Sequence, residues 1–462
     1  MRPRDMIRTN TWSASLVLLM SWKNAAHRDP AGFYRYRAEG GSVRVFMTES
    51  LWAELEDGIG PQIDNARRFP GVLDVAVTPD AHIGYGVPVG CVMATSGTLA
   101  MGPVGYDIGC GVAALRSSVP RDRATPDRMR LFSRKVMERV GLGAGSRGEA
   151  VSSARFQEIV RGGAEAWGTR RGTAERDRIP VEDAWDIPRA SRAGRGQGQL
   201  GSLGGGNHFI ELQHDGERLY VMFHTGSRGF GHGLASYYFE LAQEELGLKR
   251  GEMDLGYFRP GSKHWKDYKN AVAAGGNYAI VNRLMIGQTV GRVFAEVFGE
   301  EAELVYEISH NLVQEEHHPD LFDAPVFVHR KGATRALPAG HPLLAGTRWE
   351  TTGHPVLIPG SMGDCSFILR PRPGAARSLY SVNHGCGRRK SRTAARREIS
   401  QAAADKQMRD LGVLVNAGRH VPVDESPDCY KPADEVIRAV VEADLAHVET
   451  RLWPLASIKG ND

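Results

Sequence analysis

The sequence predicts one large body of mixed α/β (α+β) class, in which the loops of mixed sheets converge on a central cleft. Three observations support this prediction. Short apolar strands repeatedly end in glycine-rich loops, helical patterns lie between them, and neither a fixed-period repeat nor a long linker divides the chain after residue 42. The 462 residues, of which 41% are apolar and 24% charged, are ordinary for a soluble globular protein with a large core.

Residues 1–42 lie outside this pattern and are predicted to form a loosely attached, poorly ordered N-terminal extension. A patterned domain is predicted over residues 43–462. The apolar run Ser13–Met20 resembles a short signal sequence, but it is too short to span a bilayer and no small-residue cleavage site follows it. An extension, or a start codon assigned too early, therefore fits better than secretion.

Periodicity assigns the other elements in chain order. Helical patterns cover 47–66, 126–168, 266–298, 392–411 and 433–452, and strand-and-loop segments cover 71–82, 84–95, 199–212, 220–232, 304–311, 326–335, 356–362 and 380–392. A formal G-x-G-x-x-G at residues 143–148 follows a helix rather than a strand, so a helix–helix loop is predicted there. Residues 170–198 are polar and glycine-rich, which predicts a mobile surface segment.

Charge and cysteine content restrict the function classes. A net charge of +4 is mild and does not by itself indicate nucleic acid. The five cysteines are odd in number and widely spread, which argues against a disulfide framework. They favour a reducing compartment, and the cytoplasm is the predicted location.

Asp107 and Cys110 form half of a candidate metal site, because glycines beside them allow a carboxylate and a thiolate to face one cation. No second cysteine lies near enough for a C-x-x-C zinc site, so histidines must complete it. His208, His224 and His310 lie at the mouths of three strands, and each alone is more often a hydrogen-bonded structural residue. Together with Asp107 and Cys110 they predict a Zn, Mn or Co site in which the cysteine can bridge two ions.

Phosphate-binding features occur without a Walker A sequence. Three glycine loops, 204–207, 359–362 and 384–387, can expose backbone N–H groups to an anion. Basic residues lie beside them: Arg330, Lys331, Arg335, Arg388, Arg389, Lys390 and Arg392. A solvated helix start is the plain alternative for the last cluster, but basic charge at a helix N-terminus opposes the helix dipole, and a bound phosphate would relieve that conflict.

His384 differs from the other histidines because it has glycine-rich surroundings and following guanidinium groups but no nearby metal-binding partner in the sequence. An imidazole whose second nitrogen is held by a hydrogen bond can act as a phosphoryl nucleophile beside a divalent ion. The residues therefore favour nucleotidyl transfer.

From residue 43 to the C-terminus, an ordered series of motifs resembles the RtcB family of RNA-splicing ligases. The motifs are Pro79–His82, Asp107–Cys110, Gly204–His208, His224–Arg228, His310–Asn311, His329–Arg335, Pro359–Met362 and His384–Arg388. The resemblance implies an RtcB-like domain and a GTP- and Mn-dependent ligase that joins RNA 3'-phosphate or 2',3'-cyclic phosphate ends to 5'-hydroxyl ends through a histidine-GMP intermediate on His384. The implied partners are tRNA halves or cleaved RNA and no membrane; the need for a protein activator stays open.

The resemblance also implies a role for individual residues. Asp107, Cys110 and His208 would hold one Mn ion, and Cys110, His224 and His310 a second. The implied guanylate-binding residues are Asn207, Phe209, Ile210, Glu211, Asn311, Pro359, Gly360, Ser361, Met362, Ser366, Gly385, Cys386, Gly387 and Lys459. Arg388 and Arg392 would bind RNA by charge.

Four positions depart from the family pattern. Cys386 replaces the usual alanine, Arg389 and Lys390 replace apolar residues, and Asp364 places a carboxylate where a small neutral residue is expected. These departures fit a divergent paralogue used for RNA repair. Two alternative functions stay open: a metal-dependent cyclic phosphodiesterase or phosphoesterase that does not need His384, and a nonenzymatic RNA-binding protein that leaves GTP untouched.

Overall fold

A computed structural model describes residues 21–168 and 178–460, and it confirms the predicted mixed α/β class. The apolar run Ser13–Met20 and the start of the polar segment, residues 170–177, lie outside the described residues. Among the helices of the described ranges, none combines the length and the apolar character that crossing a bilayer requires.

The described chain alternates short strands with helices of very different lengths. The strands are β1 (Ala26–Asp29), β2 (Phe33–Ala38), β3 (Gly41–Val45), β4 (Val72–His82), β5 (Val89–Thr95), β6 (Leu99–Ala100), β7 (Gly111–Pro120), β8 (Gly141–Leu142), β9 (Ser202–Gly204), β10 (Phe209–His214), β11 (Arg218–Thr225), β12 (Tyr257–Phe258), β13 (Glu303–Ser309), β14 (Asn311–Glu316), β15 (Val326–Lys331), β16 (Ala333–Arg335), β17 (Val356–Ile358), β18 (Ser366–Pro371), β19 (Ser381–Asn383), β20 (Leu414–Val415) and β21 (Ala446–Lys459). The α-helices are α1 (Glu49–Glu54), α2 (Ile59–Arg68), α3 (Pro126–Arg139), α4 (Ser153–Trp167), α5 (Arg228–Leu246), α6 (Trp265–Phe298), α7 (Arg392–Glu398), α8 (Gln401–Asp410) and α9 (Ala433–Glu442).

Within the described residues, seven strands form a first sheet in the order β1–β2–β3–β4–β5–β15–β14, and of these pairs only β3 and β4 run parallel. Residues 21–42, the described part of the predicted extension, contain β1, β2 and the start of β3. Trp22 packs edge-to-face on Tyr36 and Trp52, at centroid distances of 5.0 and 5.2 Å. This part of the segment is hydrogen-bonded into the sheet, while the domain boundary itself stays a prediction.

The second sheet positions the candidate site. Its strand order is β13–β7–β11–β10–β21–β18–β17, all neighbours are antiparallel, and β20 adds a parallel pair with β21. The register places Phe209 opposite both His224 and Lys459, and Gly111 opposite both Thr225 and Ser309. Because the strands are antiparallel, the beginnings of β7 and β10 meet the ends of β11, β13 and β21 at one end of the sheet.

The long helix α6 packs against this end of the sheet and is buried along most of its length. Its Arg283 is fully buried and pairs with Glu307 at 2.6 Å. The same guanidinium donates to the carbonyl oxygens of Gly109 and Thr225, at 2.7 and 3.1 Å, and to Ser309 Oγ at 2.7 Å. One side chain therefore joins the three segments that lead into the site.

Three helix predictions are wrong in part. The helix predicted over 433–452 ends at Glu442, and residues 446–459 form β21 instead. Asp444 in the intervening turn has a positive φ of 54°, which ends the helix. Pairing of β21 with β10 and β18 outweighs the helical spacing of its first half, because tertiary context overrides local propensity. The helix predicted over 47–66 is divided into α1 and α2, and the helix predicted over 392–411 is divided into α7 and α8.

Two loop predictions concern the region before β9. Residues 143–148 connect α3 and β8 to α4, so the predicted helix–helix loop is confirmed. The described part of the polar segment, residues 178–198, contains short 3-10 turns, and the hydroxyl of Tyr278 on α6 donates to the Gly196 carbonyl at 2.7 Å. This part of the segment is therefore anchored to α6.

Candidate active site

Asp107 and Cys110 lie in a tight turn that leads into β7. The Cys110 N–H donates to the Asp107 carbonyl oxygen at 3.1 Å. Gly109 has a φ of +75°, and a Cβ at this position would lie 2.8 Å from the Cβ of Ala279 on α6. Glycine is therefore needed for the turn that directs the carboxylate and the thiol to the same side.

The structure brings all five predicted metal ligands together, and we call them the ligand cluster: Asp107, Cys110, His208, His224 and His310. Cys110 Sγ lies 3.4 Å from His208 Nε2 and 3.1 Å from His224 Nε2. His208 Nε2 lies 3.2 Å from Asp107 Oδ2, and His224 Nε2 lies 3.2 Å from His310 Nε2. Such separations suit donors that surround a cation at about 2.1 Å, as in zinc sites. Cys110 lies between two sets of donors and can contribute to two cation positions.

Backbone hydrogen bonds orient two of the imidazoles. His208 Nδ1 donates to the Leu203 carbonyl oxygen at 2.8 Å, and His224 Nδ1 donates to the Asn207 carbonyl oxygen at 3.2 Å. Each ring therefore directs its Nε2 toward Cys110. Burial holds the pKa of His224 well below its usual range, so this ring is neutral, as metal binding requires.

The chemistry of the cluster fits a divalent cation. Among the described residues, His310 Nδ1 is buried without a hydrogen-bond partner, and burial lowers the pKa of His310 well below its usual range. Burial, followed by the charge of Asp107, raises the pKa of the Cys110 thiol well above its usual range. A bound cation would reverse that effect and deprotonate the thiol. A thiolate, imidazoles and one carboxylate form a donor set that Mn, Zn or Co can use.

His384 lies directly beside the ligand cluster, with its ring centroid 4.7 Å from that of His310. The buried carboxylate of Asp80 accepts from His384 Nδ1 at 2.6 Å and from the His384 backbone N–H at 3.1 Å. Thr78 Oγ1 donates to the other carboxylate oxygen at 2.6 Å. Burial opposes ionisation of Asp80, but the neighbouring His384 ring holds the pKa of Asp80 below its usual range. With Nδ1 engaged, Nε2 is the His384 nitrogen that can react.

A cavity of about 200 Å³, which we call the nucleotide cavity, opens beside His384. Two glycine-containing loops and the start of β10 contribute to its walls, so backbone N–H groups and side chains both reach it. Most of the predicted guanylate-binding residues line it: Asn207, Phe209, Glu211, Pro359, Gly360, Ser361, Met362, Gly385, Cys386, Gly387 and Lys459.

Three predicted guanylate-binding residues do not line the nucleotide cavity. Ile210 faces the hydrophobic core behind the sheet, because side chains alternate along β10. Ser366 Oγ accepts from the Gly360 N–H at 3.0 Å and so supports the loop from behind. Asn311 Nδ2 donates to the Asp107 carbonyl oxygen at 3.3 Å, which places it by the ligand cluster.

Glu211 is the buried acid that lines the nucleotide cavity. Its Oε1 accepts from Gln213 Nε2 at 2.7 Å. Burial raises the pKa of Glu211 to about 7. The carboxyl group is therefore near its midpoint of ionisation at neutral pH and can accept or donate a hydrogen bond to a ligand edge.

The basic residues predicted to bind RNA are ion-paired. Arg388 Nη1 and Arg392 Nη2 lie 3.2 and 3.4 Å from Glu425 Oε1, and Lys459 Nζ lies 2.9 Å from Glu425 Oε2. Glu425 is only 2% exposed, whereas the three cations also line the nucleotide cavity. We call these four residues the Glu425 network. It holds three positive side chains at the cavity wall.

The residues that depart from the family pattern lie in different surroundings. Asp364 does not line the cavity; its Oδ2 accepts from the N–H of Ala433, the first residue of α9, at 2.8 Å. It therefore caps a helix. Cys386 lines the cavity, whereas Arg389 and Lys390 pair with carboxylates elsewhere, at 2.6 and 3.2 Å.

Sequence reasoning missed three functional candidates: Asp80, Glu425 and Tyr430. Asp80 carried a usable signal, because it is a carboxylate at the end of a buried strand, inside the motif Pro79–His82. Tyr430 lines the cavity and its hydroxyl donates to Glu425 Oε2 at 2.6 Å. Glu425 and Tyr430 lie in neither a glycine loop nor a strand, so no local sequence pattern indicates a function for them.

Comparison with known proteins yields one family. The family model described as tRNA-splicing ligase RtcB matches residues 62–460. A protein named tRNA-splicing ligase RtcB from Thermococcus kodakarensis is 35% identical over 457 residues, which cover 90% of this chain and 94% of the relative. One of the same name from Nanoarchaeum equitans is 34% identical, covering 90% and 95%. The RNA-splicing ligase RtcB of Mycobacterium tuberculosis is 35% identical, covering 86% of this chain and 100% of the relative.

Proposed function

This chain belongs to the RtcB family and is an RNA ligase. From this premise, we propose that it joins RNA 3'-phosphate or 2',3'-cyclic phosphate ends to 5'-hydroxyl ends with GTP as the energy source. The observation that carries the proposal is the position of His384. Its Nδ1 is held by Asp80 at 2.6 Å, and its ring touches both the ligand cluster and the nucleotide cavity.

In the proposed reaction, His384 Nε2 attacks the α-phosphate of GTP. An N–P bond forms, the bond to pyrophosphate breaks, and pyrophosphate leaves. The Nδ1 proton stays in its hydrogen bond to Asp80, whose negative charge stabilises the positive charge that the ring acquires. This role of Asp80 is orienting and electrostatic.

The guanylate then passes from His384 to the RNA 3'-phosphate. The 5'-hydroxyl attacks this activated phosphate, the phosphodiester forms, GMP leaves, and the hydroxyl proton passes to solvent. A 2',3'-cyclic phosphate takes up one water and opens before this sequence begins. Substrates with such ends include tRNA halves and cleaved RNA.

Two Mn ions are the proposed cations of the ligand cluster. Asp107, Cys110 and His208 would hold one, and Cys110, His224 and His310 the other. Bound there, such cations would neutralise charge on the phosphate oxygens next to His384. The free, buried cysteines of the described chain fit a reducing compartment such as the cytoplasm, where the Cys110 ligand would stay reduced.

The nucleotide cavity is the proposed guanylate site. Backbone N–H groups of the 359–362 and 385–387 loops and the cations of the Glu425 network would face phosphate oxygens. Glu211 would meet a polar edge of the base. Arg388 and Arg392 would approach the RNA 3'-phosphate from the same wall.

The test is incubation with GTP labelled at its α-phosphate and Mn, followed by a denaturing gel. We expect a protein adduct that is acid-labile and base-stable, as a phosphoramidate is. His384→Ala should lose the adduct and ligation, whereas His447→Ala, an exposed histidine on β21, should retain both. Absence of any adduct with Mn, Co and Zn would contradict the proposal. Cleavage of cyclic phosphates by His384→Ala, without ligation by the parent, would favour the phosphoesterase alternative.

A further inference from the structure

Two larger clefts share lining residues with each other, and the second of them also borders the nucleotide cavity. The first, of about 1110 Å³, lies between α3, α6 and the loop before α4, and the second, of about 860 Å³, lies between α3, α8 and residues 413–421. The two clefts share Met137, Leu142 and Arg419, and the second shares Lys459 with the nucleotide cavity. The two clefts are therefore neighbours, and we call them together the arginine groove; Lys459 forms part of the wall between its second cleft and the nucleotide cavity.

Exposed guanidinium groups line the arginine groove. Arg134 lies on α3, Arg147 in the loop before α4, Arg292 on α6, Arg409 on α8 and Arg419 in the loop after β20. In the part of the chain that the structure describes, no carboxylate lies within 4.0 Å of any of these five side chains. They come from five separate segments, so no single helix accounts for the charge.

The acidic residues of the groove do not neutralise this charge. Glu138 and Glu149 line the first cleft, and Asp405 lines the second, where it pairs with His420 at 2.7 Å. Arg139 shows the contrasting arrangement, because it binds Glu296 through two hydrogen bonds of 2.5 and 2.8 Å. The groove as a whole keeps an excess of positive charge.

The arginine groove differs from the Glu425 network in how its positive charges are balanced. In the network, a buried carboxylate pairs with the cations, whereas the five groove arginines have no such partner among the described residues. Uncompensated like charges repel one another, and a bound polyanion removes that repulsion. A nucleic acid backbone carries one charge per nucleotide and can follow an extended groove, which a single small anion cannot. The arrangement therefore suits a strand rather than a mononucleotide.

We propose that the arginine groove binds the phosphate backbone of the RNA strand that leads away from the ends being joined. This inference rests on the proposed function for the position of those ends. The contacts are to phosphates, so the groove adds affinity without base preference. RNAs too short to extend beyond the nucleotide cavity gain nothing from it.

The test is the double variant Arg134→Gln/Arg292→Gln. For an RNA of about 20 nucleotides, we expect weaker binding at low salt, and a slope of log Kd against log salt reduced by about 1.4, since each phosphate contact on a single strand contributes about 0.7. In ligation, KM for this RNA should rise about threefold or more with kcat unchanged, while RNAs of about four nucleotides are joined as by the parent. Arg134→Lys/Arg292→Lys, which keeps both charges, should retain the parental slope.

The matched control is Arg37→Gln/Arg116→Gln, which removes two exposed arginines on β2 and β7 that have no carboxylate partner among the described residues. An unchanged salt slope and KM in the groove variant, or an equal change in the control, would overturn the proposal. Labelling of His384 by GTP needs no RNA and is measured in parallel. A parent that takes no label contradicts the proposed function, whereas a labelled parent whose groove variant binds RNA normally contradicts the groove alone.

Discussion

The ligand cluster and the Glu425 network border the same nucleotide cavity but differ in how their charges are balanced. In the cluster, imidazole nitrogens, a thiol and a carboxylate face one another, and among the described residues no lysine or arginine side chain hydrogen-bonds to any of these groups. In the network, one buried carboxylate meets three positive side chains. Burying polar groups without full compensation costs free energy, so a cation would complete the first arrangement, whereas the charges of the second compensate one another.

The difference separates two uses of buried polar groups beside one reaction centre. The cluster has donor atoms that a metal ion could join, and the network has opposite charges that already pair with each other at the cavity wall. If this interpretation is correct, substitutions in the cluster change metal binding and substitutions in the network change stability. Four variants test this separation, from the largest expected effect to the smallest.

Cys110→Ala removes the donor shared by both cation positions. We expect ligation to fall by about 10³-fold or more, and the increase in Tm on addition of Mn to disappear, because a ligand stabilises only the state that binds it. Calorimetric titration with Mn and thermal unfolding measure both effects. Cys365→Ala removes a buried thiol outside the cluster and should leave Mn binding intact. Full Mn binding by Cys110→Ala would show that the cluster is not the metal site.

Asp80→Asn tests whether the orientation of His384 is separable from the cluster. We expect the rate of His384 labelling by GTP to fall about 10²- to 10⁴-fold, because an amide can neither fix the Nδ1–H tautomer nor stabilise a positive ring. Mn binding should be unchanged. Asp74→Asn is the control, since Asp74 lies on the same strand but pairs with Arg44. Equal labelling rates for the parent and Asp80→Asn would rule out the orienting role.

Glu425→Gln should leave Mn binding intact and lower stability, because three cations lose their buried carboxylate. We expect a loss of about 3–5 kcal/mol in the free energy of unfolding at neutral pH, measured by urea titration. Glu296→Gln, which alters the exposed pair with Arg139, should cost much less. A small change in Glu425→Gln would mean that the network does not support the fold.

The ion pairs of Glu425 also predict that the free energy of unfolding depends on pH. Burial opposes ionisation of Glu425, but Lys459 outweighs it and holds the Glu425 pKa below its usual range. The stabilisation is therefore present above the unfolded pKa of about 4.3 and is lost as the pH falls through the folded pKa. The difference in unfolding free energy between parent and Glu425→Gln should shrink below about pH 4. A difference that grows on acidification would contradict this assignment.

Asp364→Ala should have the smallest effect of the four. The cap on the first N–H of α9 is lost, which costs about 1 kcal/mol of stability. Labelling by GTP should be unchanged, because Asp364 does not line the nucleotide cavity. A large loss of labelling would mean that this carboxylate contributes to guanylate binding.

The ligand cluster could be predicted from sequence because each ligand lies where a strand meets a glycine loop, and antiparallel pairing brings such ends together. His384 was predictable for the same reason. Asp80 carried the same signal but was not assigned a role, since its partner lies 304 positions away. A local sequence pattern therefore predicts a side-chain contact only when both residues of that contact lie in recognisable motifs.

The Glu425 network and the arginine groove could not be predicted in this way. The run of basic residues from 388 to 392 suggested free charge for RNA, but pairing of Arg388 with a glutamate 37 positions away decides its electrostatic state. The groove arginines lie far apart in the sequence, and only the packing of α3, α6 and α8 brings them to one surface. The partly wrong helix at 433–452 has a similar cause, because sheet partners distant in sequence decided its second half.

Arg283 on α6 connects residues next to Cys110, His224 and His310, yet within the described chain it hydrogen-bonds to none of those three side chains. The spacing of these three side chains is thereby fixed by a group outside the ligand cluster. If the cluster binds a metal as proposed, individual ligands can be exchanged on an unchanged scaffold, which makes this site a suitable starting point for engineering preference among transition metals. Position 283 is the one to leave untouched in such a library.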